Sequence, residues 1–216
     1  MTAPEKCPAT GRVVVLAGPS GSGKSRLAER LRHARGWPIV RLDDFYRQAG
    51  DPDLPRSSEL GIVDWDHPDS WDQAGAVAAL DSLVRNARAT MPVYDIGTSS
   101  IVGEHTVRAR PQDLVIAEGI FAAEAIDSLR AAGLLHSAWC IRHHRVHTFV
   151  LRLVRDLAER REPPLTLLHR GWVLMREEPR IVARHVGLGA RPATPAQAER
   201  ELAGVEGVTR WPRRRT

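Results

Sequence analysis

Gly18-Pro19-Ser20-Gly21-Ser22-Gly23-Lys24-Ser25 follows Arg12-Val13-Val14-Val15-Leu16-Ala17 and precedes Arg26-Leu27-Ala28-Glu29-Arg30-Leu31. The β-branched apolar run reads as a buried strand, and the segment after the loop has apolar positions at helical spacing. Between them the octet fits G-x-x-x-x-G-K-[ST], the P-loop pattern, in the strand–loop–helix setting that the pattern requires. Glycines admit the backbone angles and close approach that so sharp a turn demands. The amides of Gly18, Ser20, Gly21, Ser22 and Gly23, continuing through Lys24 and Ser25 to Arg26 in the first helical turn, are then expected to meet phosphate oxygens. Lys24 reaches the β- and γ-phosphates in such a loop, and the Ser25 hydroxyl ligates Mg²⁺. The reading is a nucleoside-triphosphate site, for ATP or GTP with Mg²⁺.

Around that loop, 216 residues allow one α/β domain, with room for a small lobe and none for a second large domain. A hydrophobic share of 43% with 26% charged residues is that of a globular chain rather than a disordered one. No apolar run reaches membrane-spanning length, and no basic-then-apolar leader opens the sequence. Cys7 and Cys140 are the only cysteines, too few for a disulfide framework, so a reducing cytoplasm is expected. The net charge of +5 is carried almost wholly by arginine, because Lys6 and Lys24 are the only lysines. A polyanionic phosphate site accounts for that balance, and no helix-turn-helix, zinc-finger or RNA-binding signature accompanies it. The basic tail Arg210-Trp211-Pro212-Arg213-Arg214-Arg215 reads as a mobile end.

Further strands are expected at Pro38–Leu42, Asp113–Gly119 and His136–Arg142. Ligands of open parallel sheets bind beyond the carboxyl ends of strands, so Asp43-Asp44-Phe45-Tyr46 should face the crevice that holds the phosphates. A carboxylate there can take the proton of an attacking hydroxyl. Two adjacent Asp side chains on extended backbone point opposite ways, so one of Asp43 and Asp44 faces the substrate. Glu118, ending the second apolar strand, stands where a P-loop protein keeps its Mg²⁺-side acid. A helix is expected from about Trp71 to Arg88, capped by Ser70 or Asp69, and another over Ile120–Ala132. Met91–Asp95 and Ser100–Val107 read as a hairpin around Ile96-Gly97-Thr98-Ser99. Val146–Arg161 reads as an amphipathic helix whose crowded arginines can close over the γ-phosphate. Beyond Pro179 a single terminal helix reaching Pro195–Ala203 is expected. His143, His144 and His147 lack the spacing of a metal site.

These pieces resemble the uridine kinase family of P-loop nucleoside and small-metabolite kinases. The likeness spans about Val13 to Arg161 and rests on GPSGSGKS (18–25), LDDFY (42–46), DWDHPDSWD (64–72), PVYDI (92–96), VIAEG (115–119) and RDLAER (155–160). It implies a three-layer α/β/α fold with a five-stranded parallel sheet, a small β-hairpin lobe (about 91–110) and an arginine lid (about 155–166). The core would run over about 11–161 of a single domain, with a C-terminal helical region over 167–216. It implies Asp43 as general base, also near Mg²⁺, Asp66 on the ribose hydroxyls, Glu118 and Ser25 on Mg²⁺, and Asp44, Tyr46 and Tyr94 lining the acceptor pocket. Lys24, Arg155 and Arg160 would stabilise the transferred phosphoryl group. At two places that in the family commonly carry an aromatic residue and a histidine near the base, this chain has Ile96 and Ser99. Thr148 and Leu151 stand where family members often have arginine.

The resulting expectation is a cytoplasmic ATP/Mg²⁺-dependent kinase that makes the 5′-monophosphate of uridine or cytidine, with self-association left open. The departures at Ile96 and Ser99 favour, as the alternative, a relative acting on a different small alcohol. A nucleotide-gated nucleic-acid-binding or regulatory ATPase is the alternative of another class, and it leaves the acidic residues at 43 and 66 without a purpose.

Overall fold

The structure, a computed structural model, describes residues 11–57, 61–142 and 179–205. In chain order the elements are β1 (Val13–Ala17), α1 (Lys24–Arg35), β2 (Ile39–Arg41), α2 (Gln73–Asn86), β3 (Arg88–Asp95), β4 (Ser100–Arg108), β5 (Val115–Glu118), α3 (Ile126–Ala131), β6 (Leu135–Ile141), β7 (Arg191–Ala193) and α4 (Pro195–Ala203). Residues 179–187 are also helical. No described helix is long and apolar enough to cross a membrane.

Five strands form one parallel sheet in the order β2-β5-β1-β6-β7. Every residue of the central β1 has 0% exposure, as a parallel strand covered on both faces requires. Its alternate side chains enter two cores. Val13, Val15 and Ala17 pack with Leu80, Leu83 and Met91 beneath α2 and the hairpin. Val14 and Leu16 pack with Leu27, Leu31, Ala198 and Leu202 beneath α1 and α4. The sheet with its two helical faces is the three-layer α/β/α arrangement, and β3 and β4 form the separate antiparallel hairpin.

The P-loop helix ends where glycine permits it, with Gly36 at φ 76° donating its N–H to the Arg32 carbonyl at 2.8 Å. The start of α2 differs from the expected cap. Asp72, not Ser70 or Asp69, accepts from the Gly75 N–H at 2.9 Å. Ser70 is spent elsewhere, its hydroxyl lying 2.7 Å from the His67 carbonyl within the 3₁₀ turn Pro68–Ser70. The hairpin strands run longer than expected, over Arg88–Asp95 and Ser100–Arg108. Ile120–Ala132 is not one helix, because a 3₁₀ turn at Ala122–Ala125, whose buried alanines bring it close to the sheet, precedes α3. The C-terminal region is not wholly helical either. Arg191-Pro192-Ala193 forms the fifth strand, and Pro192 is tolerated because β7 sits at the sheet edge. The lid segment over 155–166 and the histidines at 143, 144 and 147 lie outside the described residues.

After β2 the chain tightens at once into a 3₁₀ turn, Leu42–Phe45. The buried Trp71 indole N–H donates to the Leu42 carbonyl at 2.7 Å and fixes that turn to the segment entering α2. Trp71→Phe would leave a buried carbonyl without its donor. The expected loss is about 1–3 kcal/mol of unfolding free energy, read as a lower urea midpoint with an unchanged m-value.

Candidate active site

Three loops meet beyond the carboxyl ends of β1, β2 and β5. The first is the P-loop, whose Gly18, Gly21 and Gly23 take φ 138°, 76° and 88°, values open to glycine at little strain. At Gly18 the backbone is also pressed against the end of β6, since a Cβ there would fall 2.3 Å from the Ile141 carbonyl oxygen. The Lys24 ammonium is buried and donates to the carbonyls of Gly18 at 2.8 Å and Pro19 at 3.0 Å. It is thereby curled back over the loop whose amides it serves. Ser22 is fully buried, while Ser20, Ser25 and Arg26 are exposed at the mouth.

Glu118 ends β5. The residue is 8% exposed, and its carboxylate accepts the Ser25 hydroxyl at 3.0 Å, which joins the β5 tip to the first turn of α1. Burial pushes the Glu118 carboxyl above the usual range; the Ser25 hydrogen bond opposes this, Asp43 adds to it, and Lys24 and Arg41 counter it. A hydroxyl and a carboxylate 3.0 Å apart form a hard-oxygen pair of the kind that suits Mg²⁺, which takes one or two protein oxygens and completes its shell with phosphates and water.

Asp43 and Asp44 sit within the 3₁₀ turn rather than on the extended backbone expected of them, yet their side chains still part. Asp43 Oδ1 accepts from the Ile120 N–H at 2.9 Å, whereas Asp44 Oδ1 lies 3.4 Å from the Tyr94 N–H on the hairpin. Asp43 therefore faces the β5 tip and Asp44 the lobe. Desolvation raises the Asp43 carboxyl above its ordinary value, with the Ile120 amide, Lys24 and Arg41 pulling it back and Asp44 pushing it up.

Beside these three loops lies an aromatic cluster. Tyr46 packs against Trp65, Tyr94 and Phe121 at centroid distances of 6.0, 5.7 and 5.8 Å. Both phenols donate to backbone carbonyls, Tyr46 to Trp65 at 3.3 Å and Tyr94 to Arg47 at 3.1 Å. The Tyr46 phenol is pushed up by burial first, then by Asp43, Asp66 and Tyr94, so it stays a neutral wall. The exposed Asp66 carboxylate makes no hydrogen bond among the described residues; only its backbone N–H is engaged, by Asp64 at 3.1 Å. At the hairpin tip Ile96 is 82% exposed, and Asp95 is occupied with the turn amides of Gly97 and Thr98.

No family model matches the chain. It is 28% identical over 151 residues to the uridine kinase of Limosilactobacillus reuteri (strain DSM 20016), a match covering 68% of this chain and 66%, just under two thirds, of that enzyme. Over that span this chain is similar to uridine kinases. The likeness recurs with the uridine-cytidine kinase 2-B of Danio rerio, at 30% identity over 112 residues, covering 50% of this chain and 44% of that one. Among solved structures, a candidate fructose transport system kinase from Silicibacter sp. TM1040 shares the fold. It has TM-score 0.56 and 20% identity, and the match covers 90% of this chain and 91% of that one.

The fold thus brings together Lys24, Ser25, Asp43, Asp44, Tyr46, Tyr94 and Glu118, with Asp66 close enough to act on Tyr46. Arg155 and Arg160 lie outside the described residues. Sequence reading passed over the Ile120 amide, which belongs to a backbone that no motif announces. It also passed over His185, 5% exposed, with its Nδ1 3.9 Å from Cys140 Sγ. Burial, then Lys24 and Arg184, lower His185 to about 4, so it is a neutral imidazole packed behind the P-loop.

The raised carboxyls of Asp43 and Glu118 set a pH dependence. A carboxyl whose folded pKa exceeds its unfolded value adds stability while protonated and loses it as pH rises through the folded pKa. Asp43→Asn keeps an oxygen for the Ile120 N–H and removes the buried charge. Its urea midpoint, measured without nucleotide, should exceed that of the wild type at about pH 8 and converge on it at about pH 4.

Proposed function

We propose that this chain is an ATP/Mg²⁺-dependent phosphotransferase with an alcohol acceptor, and that the acceptor is the 5′-hydroxyl of uridine or cytidine. The observation that carries the reading is the meeting of the P-loop with the acids at the ends of β2 and β5: Ser25 donates to Glu118 at 3.0 Å, Asp43 accepts the Ile120 N–H at 2.9 Å, and the Lys24 ammonium is held on the Gly18 carbonyl at 2.8 Å. The uridine kinase names of the relatives support the nucleoside.

In this reading the P-loop amides and Lys24 bind the triphosphate tail, and Ser25 with Glu118 would hold Mg²⁺. Bound there, the ion neutralises the charge on the phosphates during transfer. Asp43, raised by burial and aimed by Ile120, accepts the proton of the acceptor hydroxyl as the oxygen attacks. Asp66 is free to accept from ribose hydroxyls, and Tyr46 with Tyr94 walls the pocket and excludes water. Arg155 and Arg160 would add positive charge at the γ-phosphoryl group.

A second reading rests on one observation. The tip of the lobe offers the exposed Ile96, and Ser99 at φ 48°, where a base-stacking ring and an imidazole would serve a pyrimidine. A site without hydrogen-bonding groups for the base discriminates poorly among analogues, which favours a different small alcohol. ADP release measured over a panel of nucleosides, sugars and other alcohols decides between the two. Turnover highest on uridine or cytidine supports the first reading, and turnover confined to base-free alcohols supports the second. In either case Asp43→Asn should lower kcat by about 10²–10⁴-fold while ATP binding, followed by calorimetry, changes little. A variant that keeps its turnover removes Asp43 from the role.

A further inference from the structure

The space left empty at residue 119 explains how Asp43 is held. Asp43 Oδ1 accepts the Ile120 N–H at 2.9 Å across a sequence separation of 77 residues. A Cβ built on Gly119 would fall 2.7 Å from that same oxygen, 3.0 Å from Leu42 Cβ and 3.3 Å from the Asp43 amide nitrogen. Gly21 and Gly23 take left-handed φ values, but Gly119 does not, so its backbone is one that any L-residue adopts. Backbone freedom therefore gives no reason for glycine at 119. The neighbouring groups do.

A side chain at 119 has few ways to be relieved. Leu42 is fully buried, and its carbonyl is held by the Trp71 indole at 2.7 Å, so the turn cannot retreat. On the other side Glu118 is buried and bonded to Ser25 at 3.0 Å. The group able to yield is the Asp43 carboxylate, by rotating off the Ile120 amide.

We propose that Gly119 is a positioning residue, whose missing side chain seats the Asp43 carboxylate on the Ile120 N–H and so aims it into the crevice. The inference rests on the reading of Asp43 as the base. Glu118-Gly119-Ile120 then governs two carboxylates from three consecutive residues. The side chain of the first turns to Ser25, the amide of the third holds Asp43, and the second keeps the passage between them clear. A methyl group at 119 disturbs proton removal and spares the triphosphate site.

The test uses the full chain and two readouts, one of them independent of turnover. In the wild type, the Ile120 amide resonance should follow one ionisation by NMR, and that dependence should vanish in Asp43→Asn. In Gly119→Ala the resonance should stop following it, while binding of a non-hydrolysable ATP analogue stays within about twofold of wild type. On the acceptor found to turn over, kcat should fall by about 10²-fold. The acid limb of its pH profile should move upward, because the lost amide bond favoured the ionised form against Asp44 and Glu118, with Lys24 and Arg41 unchanged. Gly119→Ala added to Asp43→Asn should slow it no further. The proposal is overturned by an Ile120 amide indifferent to Asp43 in the wild type, a result that needs no variant at 119 to fold. It is equally overturned by a double variant slower than Asp43→Asn by the full single-variant factor. An amide that follows Asp43 in a chain that turns over no alcohol supports the seat and overturns the kinase reading.

Discussion

Three parallel strands in one register decide where the charges of this molecule stand. β1 pairs with β5 so that Leu16 lies beside Glu118, and β2 pairs with β5 so that Arg41 lies beside the same residue. Side chains alternate between the faces of a strand, so a slip of one residue would carry Glu118 to the opposite core. It would bury a carboxylate among Leu80 and Leu83 instead of bringing it to Ser25.

That register gathers buried carboxyls in one place, which a fold avoids unless something compensates. Here the compensation is positive charge and backbone: Lys24 and Arg41 act on both Asp43 and Glu118, and the Ile120 amide and Ser25 hydroxyl each hold one of them. The balance is incomplete, since both carboxyls stay above their ordinary range. A partly uncompensated pair is what a site that receives a magnesium triphosphate would keep, because the incoming cation favours the ionised forms.

Much of this was legible from residue order alone. The P-loop declares itself through spacing and flanks, and the apolar runs at 13–17 and 115–118 declare two strands. Gly36 as the stop of α1 follows from its conformational freedom. What escaped is physical rather than accidental. β7 is three residues long, contains Pro192 and carries no apolar periodicity, so only the edge it joins makes it a strand. Asp72 wins the cap of α2 because Ser70 is drawn to the His67 carbonyl, a competition decided by the turn before it. The seat of Asp43 is a backbone amide 77 residues away, and no side-chain pattern records one. The same holds for His185, brought behind the P-loop only by the packing of its helix.

The dipeptide Asp43-Asp44 divides two jobs between neighbours. One carboxylate is tied to the sheet through Ile120; the other reaches Tyr94, and the lobe is fastened to the same loop by the Ala49 N–H on the Ser99 carbonyl at 2.7 Å and by the Ile101 N–H on Gln48 at 3.2 Å. Replacements at the tip, around Ile96 and Ser99, therefore leave the Asp43 carboxylate on its own anchor. Drift in that single hairpin can thus reshape the lobe while the P-loop and the two buried carboxyls keep their places.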